Sequence, residues 1–416
     1  MNAGEGMTGT PRRLNLTYLV SHPIQYQAPL LRRIALEPDI HLTTLFGSNR
    51  SVLGYRDRGF GTDVKWDVPL LEGYEHTFLP VLRAATTATK ITRPMNYGIL
   101  SHLRGGSTTQ RADVLWVHGY AGVNAMHGLL AAKALGIPTL IRTDSTLTDR
   151  PRSASTRIAK SVFFAGLRRL VSGALSTGER NTAYWQHHLG SGFPIFPMPY
   201  AVDNDFFAAQ SRAAAATRAQ LQQELGLDPA RPVILFASKL QTRKLCIDLL
   251  NAYIQLSPDG IIEPHPYLLI VGDGEERAAL ETRAARTGWK SIRFLGFRNQ
   301  SELPRFFDLC AVFVLPSRHE PWGLVVNEVM NASRAVIVSS DVGCQNDLVT
   351  DGVNGCVYPV GEVNALAASL RRVLATPETY NAMGQHSFER IQHFSLEDDI
   401  RGLRRALAAL TGKISA

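Results

Sequence analysis

The segment Pro316-Ser-Arg-His-Glu-Pro-Trp-Gly-Leu-Val-Val-Asn-Glu328 places two carboxylates, Glu320 and Glu328, eight positions apart. A buried apolar run, Ala311–Leu315, leads into it, and a helical pattern begins just after Gly323. A helix start presents free backbone N–H groups and the positive end of its dipole, which suit a phosphate or a sugar hydroxyl. Two carboxylates around such a start can accept hydrogen bonds from a polyol. From spacing alone the same pattern also suits a capping Glu320 and a solvated Glu328. His118, in Trp116-Val-His-Gly-Tyr120, is a second candidate at an expected strand end, although a lone strand-end histidine equally suits a structural role.

The elements that must position these residues follow a repeating rhythm. Leu14–Val20, Ile40–Phe46, Asp113–Val117, Thr139–Ile141 and Ala174–Ser176 read as buried strands. Gln27–Ala35, Val123–Leu135, Ser155–Leu170 and Glu179–His188 carry helical spacing between them. The rhythm restarts with strands at Pro232–Ala237, Tyr267–Val271, Ser291–Phe294, Ala311–Leu315 and Ala335–Ser339. Alternating strands and helices predict parallel sheets covered on both faces. Pro194, Pro197 and Pro199 mark the break, with one expected helix, Ala208–Leu225, after it. The expected fold is therefore α/β, with two Rossmann-like doubly wound domains facing a cleft. The first spans 14–199 and the second 200–394, hinged near Tyr200. A polar tail (1–13) is expected to be flexible, and a last helix (395–416) to return to the first domain. The Gly-, Arg- and aromatic-rich stretch 47–107 reads as a long irregular insertion. Ligands of doubly wound sheets bind beyond the carboxyl ends of the strands, so the cleft is the expected site.

Several motifs, in order, resemble retaining glycosyltransferases of family 4, which have the GT-B fold. These are Tyr200-Ala-Val-Asp203, Phe236-Ala-Ser-Lys-Leu-Gln-Thr-Arg-Lys244, Val271-Gly-Asp-Gly274, Phe294-Leu-Gly-Phe297, the Glu320 to Glu328 segment, and Asp351-Gly-Val-Asn-Gly355. The resemblance is dense over 195–375 and only in outline before that. It implies that Lys239 and Lys244 neutralise the donor diphosphate and that Glu320 holds hydroxyls of the transferred sugar. Glu328 would accept from the ribose, and the backbone of Trp322, Gly323 and Leu324 would line phosphate and sugar. Gly272 and Phe297 would border the nucleotide. Leu245 stands where the family usually has glycine. In the first domain Ser21-His-Pro-Ile-Gln-Tyr-Gln27 replaces a Gly-Gly loop, so contacts are expected from His22, Gln25 or Tyr26. Asp144 falls where the family often has a catalytic-site histidine, beside Arg142 on the same side of the cleft. Asp203-Asn-Asp205 has metal-binding spacing, but the resemblance makes Asp203 the interdomain aspartate. No metal and no cofactor are expected.

Composition narrows the partners. Lys and Arg number 44 against 36 Asp and Glu, and the excess lies in one half. Residues 1–200 hold 22 basic and 12 acidic side chains, and 201–416 hold 22 and 24. Residues 152–170 form a basic amphipathic pattern that suits either an anionic membrane surface or an ordinary helix packing Ile158, Val162 and Leu167 on its own sheet. No nucleic-acid motif accompanies the basic charge. Four cysteines without CxxC spacing suit reduced thiols, and no apolar run has membrane-spanning length. A cytoplasmic protein, at most peripheral on a membrane, is expected. The resemblance implies transfer of a sugar from a UDP- or GDP-sugar to a glycan, lipid-linked or small-molecule acceptor. An epimerase or phosphorylase on the same fold, and a non-catalytic sugar-nucleotide or glycan-binding protein, are the alternatives.

Overall fold

A computed structural model describes residues 13–57, 59–84, 91–106, 110–148, 153–256 and 265–416. The expected flexible tail, apart from Arg13, lies outside the described residues, as does Arg152 of the basic segment. In chain order the strands of the first half are β1 (Leu14–Val20), β2 (Ile40–Phe46), β3 (Tyr55–Asp57), β4 (Thr62–Val64), β5 (Glu75–Phe78), β6 (Val81–Arg83), β7 (Met95–Asn96), β8 (Val114–His118), β9 (Thr139–Arg142), β10 (Gly173–Ser176) and β11 (Ile195–Pro197). Those of the second half are β12 (Val233–Ala237), β13 (Tyr267–Val271), β14 (Ile292–Gly296), β15 (Val312–Leu315), β16 (Ala335–Ser339) and β17 (Gly355–Tyr358).

Two parallel sheets result, ordered β11-β10-β9-β8-β1-β2-β5 and β14-β13-β12-β15-β16-β17. In each sheet the strand order reverses beside the first strand, between β1 and β8 and between β12 and β15. A doubly wound sheet opens a crevice at such a reversal. Side-chain alternation divides each core into two faces. Val233, Leu235 and Ala237 of β12 join one cluster, while Ile234 and Phe236 join the other. Each buried Val, Leu, Ile or Phe side chain among these contributes roughly 1.5–3 kcal/mol.

Three expectations about organisation are corrected. The proline-rich break contains a strand: Ile195–Pro197 pairs with β10 at the sheet edge, where missing amides leave no ladder unsatisfied. The 47–107 stretch is not wholly irregular, because it supplies edge strand β5 and the antiparallel hairpin β3–β4. The single helix expected over Ala208–Leu225 is two, Asn204–Ala215 and Arg218–Leu225.

The last helix, Leu396–Thr411, starts in a capping box between Ser395 and Asp398. It packs on the first domain, where Ile400, Leu403, Ala406 and Leu407 complete the core around Leu14, Tyr18 and Trp116. Arg404 forks onto Asp39 at 2.8 and 2.9 Å. Gly402 lets this contact form, since a Cβ there would stand 2.0 Å from the Pro197 carbonyl oxygen.

The basic helix, Ala154–Leu167, buries only Phe164 and Leu167. Ile158 and Val162 are 67% and 70% exposed, so the expected alternative of packing them on the sheet does not hold. No helix among the described residues is long and apolar enough to cross a membrane.

Candidate active site

The loop after β12 carries Lys239, then a turn of 3-10 helix, Thr242–Lys244, that hands over to the helix Cys246–Ile254. Leu245 makes this corner in the left-handed region, at φ 49°. Glycine reaches that conformation without steric cost and leucine does not, so this corner carries some backbone strain. The corner turns Lys244 inward, where its ammonium donates to Glu320 from the loop after β15. Arg243 Nη1 lies 3.4 Å from the same oxygen. Lys244 and Glu320 are only 8% and 9% exposed. Burial alone would raise the Glu320 pKa, but Lys244 and Arg243 outweigh it and hold the carboxyl below its usual range. The Glu320 loop is anchored behind by hydrogen bonds from Glu320 N to Asp341 O (3.3 Å) and from Gly343 N to Glu320 O (2.9 Å).

Glu328 lies one turn into the helix Leu324–Met330, and burial pushes its pKa up to about 8. Gly323 caps that helix at φ 96°, ahead of Leu324. The Trp322 indole faces the interdomain core, donating from Nε1 to Asn327 Oδ1 at 2.9 Å. Asn327 Nδ2 in turn donates to Tyr200 O at 3.0 Å. What Trp322 can offer a ligand is therefore backbone. Gly272 lets the loops after β12 and β13 meet, since a Cβ there would stand 1.9 Å from Ser238 O.

The first domain faces these loops with residues from its own strand reversal. His118, ending β8, is 2.9 Å through Nδ1 from Nε2 of Gln27, a residue sequence reasoning did not single out. Burial, then Arg142 and His22, lower the His118 pKa to about 3, so the ring is neutral at ordinary pH. His22 pairs through Nδ1 with Ser21 Oγ at 2.8 Å, and burial and Arg50 lower its pKa. Asp144 is half-buried, close enough to the Tyr26 and Tyr200 hydroxyls to add to the effect of burial in raising both. Gln25 lines a cavity of about 80 Å³ with Tyr26, Arg32, Asp203 and Gln300, at the hinge side of the cleft.

Arg142 requires a correction. Its guanidinium does not face the cleft but is 1% exposed, donating to Asp399 Oδ1 at 2.8 Å and to Met198 O at 2.9 Å. It braces β9 to the hinge and to the last helix.

Sequence reasoning missed a contribution from hairpin β3–β4. Lys239 Nζ is 2.9 Å from both carboxylate oxygens of Asp57. The same ammonium lies 4.7 Å from the Phe60 ring centre, and Phe60 meets Phe297 edge-on at 4.7 Å. The turn itself was legible in Asp57-Arg-Gly-Phe60, because an aspartate that accepts from amides two and three residues on makes a local turn. Its partner in the other domain was not. Asp203 caps the helix Asn204–Ala215 by accepting from Phe206 N at 2.9 Å. Among the described residues no group of three His, Cys, Asp or Glu side chains could hold a metal ion.

Residues 217–390 match the family model described as glycosyl transferases group 1. Most of the second domain is thus that of a group 1 glycosyltransferase. The alpha-D-kanosaminyltransferase of Streptomyces kanamyceticus is 26% identical over 295 residues, covering 68% of this chain and 74% of that one. A GDP-mannose-dependent alpha-mannosyltransferase of Mycobacterium tuberculosis is 30% identical over 242 residues, 56% and 57% of the two chains. In three dimensions the enzyme resembles Anabaena HepE, solved in complex with UDP, at a TM-score of 0.70 and 16% identity, covering 95% of this chain and 100% of that one. That likeness establishes the GT-B fold of the glycosyltransferase, with both domains matched.

Proposed function

We propose that the enzyme transfers a sugar, with retention at the anomeric carbon, from a nucleoside-diphosphate sugar to a hydroxyl of a glycan, lipid-linked or small-molecule acceptor. The convergence of Lys244, Arg243, Lys239 and Glu320 at the reversal between β12 and β15 carries this reading. Lysines in a partly dry site favour the charge that develops on a departing diphosphate. Glu320, kept ionised, is ready to accept hydroxyls of the sugar, and Glu328 those of the ribose. The acceptor hydroxyl attacks from the face the diphosphate leaves, its proton passing to the leaving phosphate. His118 and Asp144 line the first-domain side, where the acceptor enters. No metal is assigned a part.

A uridine or guanosine donor is proposed because HepE was solved with UDP and the mycobacterial relative is named for GDP-mannose. A thermal-shift screen of UDP-, GDP- and ADP-sugars tests this, since a ligand that binds only the folded chain raises its melting temperature. Nucleoside-diphosphate release in the presence of acceptor extracts then tests transfer. An epimer formed from donor alone would instead point to the epimerase alternative.

The exposed Ile158 and Val162, with Arg157 on the same helix and Arg168 and Arg169 just past its end, support a second element of the proposal. The enzyme works at the cytoplasmic face of an anionic membrane, its acceptor side toward the lipid. Flotation of the whole protein with phosphatidylglycerol vesicles, lost with Ile158→Ser and Val162→Ser, is the expected result. No flotation even at low salt would remove this element.

A further inference from the structure

The hairpin β3–β4 belongs to the first domain, yet its tip reaches three loops of the second. Asp57 holds Lys239 of the loop after β12 through both carboxylate oxygens. The Gly59 carbonyl oxygen approaches Gly274, in the loop after β13, closely enough that a Cβ there would stand 2.8 Å away. Phe60 packs on Phe297, in the loop after β14. Just beyond the hairpin, Asn299 Nδ2 donates to Lys65 O at 2.7 Å, and Ser301 donates to Asp67. The hairpin thus straddles the carboxyl ends of β12, β13 and β14, on one side of the strand reversal that forms the ligand crevice.

Asp57 is built for this contact. Its Oδ1 accepts from Gly59 N at 2.7 Å and from Phe60 N at 3.1 Å, so the turn fixes its carboxylate before Lys239 arrives. Burial alone would raise its pKa, but Lys239 and the two amides overcome this and keep it ionised. An ammonium has a single charge, and a carboxylate and a diphosphate compete for it.

We infer that Asp57 is an internal competitor of the donor: the diphosphate of an entering nucleotide displaces it from Lys239, and Asp57 takes Lys239 back when the product nucleoside diphosphate leaves. Asp57 is then a positioning residue that acts through Lys239. Exchange of one anion for the other frees the hairpin tip, and with it the Phe60–Phe297 contact, as the nucleotide enters. The inference rests on the proposed role of Lys239 at the diphosphate, and the test separates the two.

Binding of UDP, GDP, uridine, guanosine and inorganic pyrophosphate is measured by calorimetry on the full chain, as wild type, Asp57→Asn and Lys239→Gln. Asp57→Asn keeps an oxygen for the Gly59 and Phe60 amides while removing the charge, and Asp57→Ser is a second charge-free variant should the amide disturb the turn. The expected result is that Asp57→Asn tightens binding of the diphosphates and pyrophosphate by about three- to tenfold and leaves the nucleosides unchanged. Lys239→Gln weakens the diphosphates, and adding Asp57→Asn to it changes nothing further. If Lys239→Gln weakens diphosphate binding but Asp57→Asn fails to tighten it, the exchange is overturned while Lys239 keeps its role. Equal tightening of diphosphates and nucleosides would make the hairpin a steric cover and also overturn the exchange. Diphosphate and pyrophosphate binding indifferent to Lys239→Gln, or absent altogether, would overturn both.

Discussion

Lys244 and Glu320, from loops after neighbouring strands β12 and β15, form a nearly buried ion pair at the reversal point of the second sheet. Removing one member of such a pair leaves an uncompensated charge in a dry site, typically costing about 3–5 kcal/mol. Glu320→Gln and Lys244→Ala are each expected to lower the melting temperature and to reduce sugar transfer by at least about 100-fold. Donor turnover and thermal denaturation of the same preparations check this. Turnover within a few-fold of wild type in both variants would remove the pair from the chemistry.

Glu328 gives a pH prediction. Its folded-state pKa, about 8, exceeds that of the unfolded chain, so the folded chain retains a proton that the unfolded chain releases. Stability should therefore fall as pH rises from about 4.5 to about 8. Glu328→Gln should flatten this decline and raise the melting temperature at pH 8.5, with little effect at pH 4. If the ribose donates to Glu328, donor affinity increases over the upper part of the same range in wild type and not in the variant. Melting curves and donor titrations across pH measure both effects.

His118 titrates in the opposite sense. Burial depresses its folded-state pKa to about 3, so its contribution to stability is present above about pH 6.5 and is lost as pH falls toward 3. His118→Gln should make the protein less sensitive to acid. The acid limb of the rate profile should stay where it is, because the ring is already neutral there. A limb that moves with this substitution would contradict the assignment of a neutral ring.

Arg142 and Asp399 are each 1% exposed and hold the last helix to the hinge. Asp399→Ala should destabilise the chain by about 3–5 kcal/mol by leaving the guanidinium unpaired. Gly402→Val should also weaken docking of this helix, for steric reasons. Denaturant unfolding followed by tryptophan fluorescence reads both, and a stability change below about 1 kcal/mol in either would count against the brace.

The sheets were legible because buried parallel strands are short continuous apolar runs, as in Val233–Ala237 and Ala335–Ser339. The two edge strands of the first sheet were not, since Glu75–Phe78 and Ile195–Pro197 mix polar residues and proline with only partial burial. Glu320 and Lys244 were legible as motif positions within one domain. Asp57 was invisible because its partner, Lys239, is 182 residues away and the pairing depends on how the two domains meet. Arg142 misled because β9 ends near the cleft while the side chain turns toward Asp399, a partner 257 residues away.

Because the helix Leu396–Thr411 returns to the first domain, the backbone passes between the domains twice, near Tyr200 and again between Ile391 and Ser395. One crossing would act as a ball joint. Two crossings act as a pair of pins, and the line between them is an axis about which the domains can swing while twist and slide are suppressed. Opening of the cleft should then be close to a motion with one degree of freedom, returning the hairpin tip to the same three loops each time it closes.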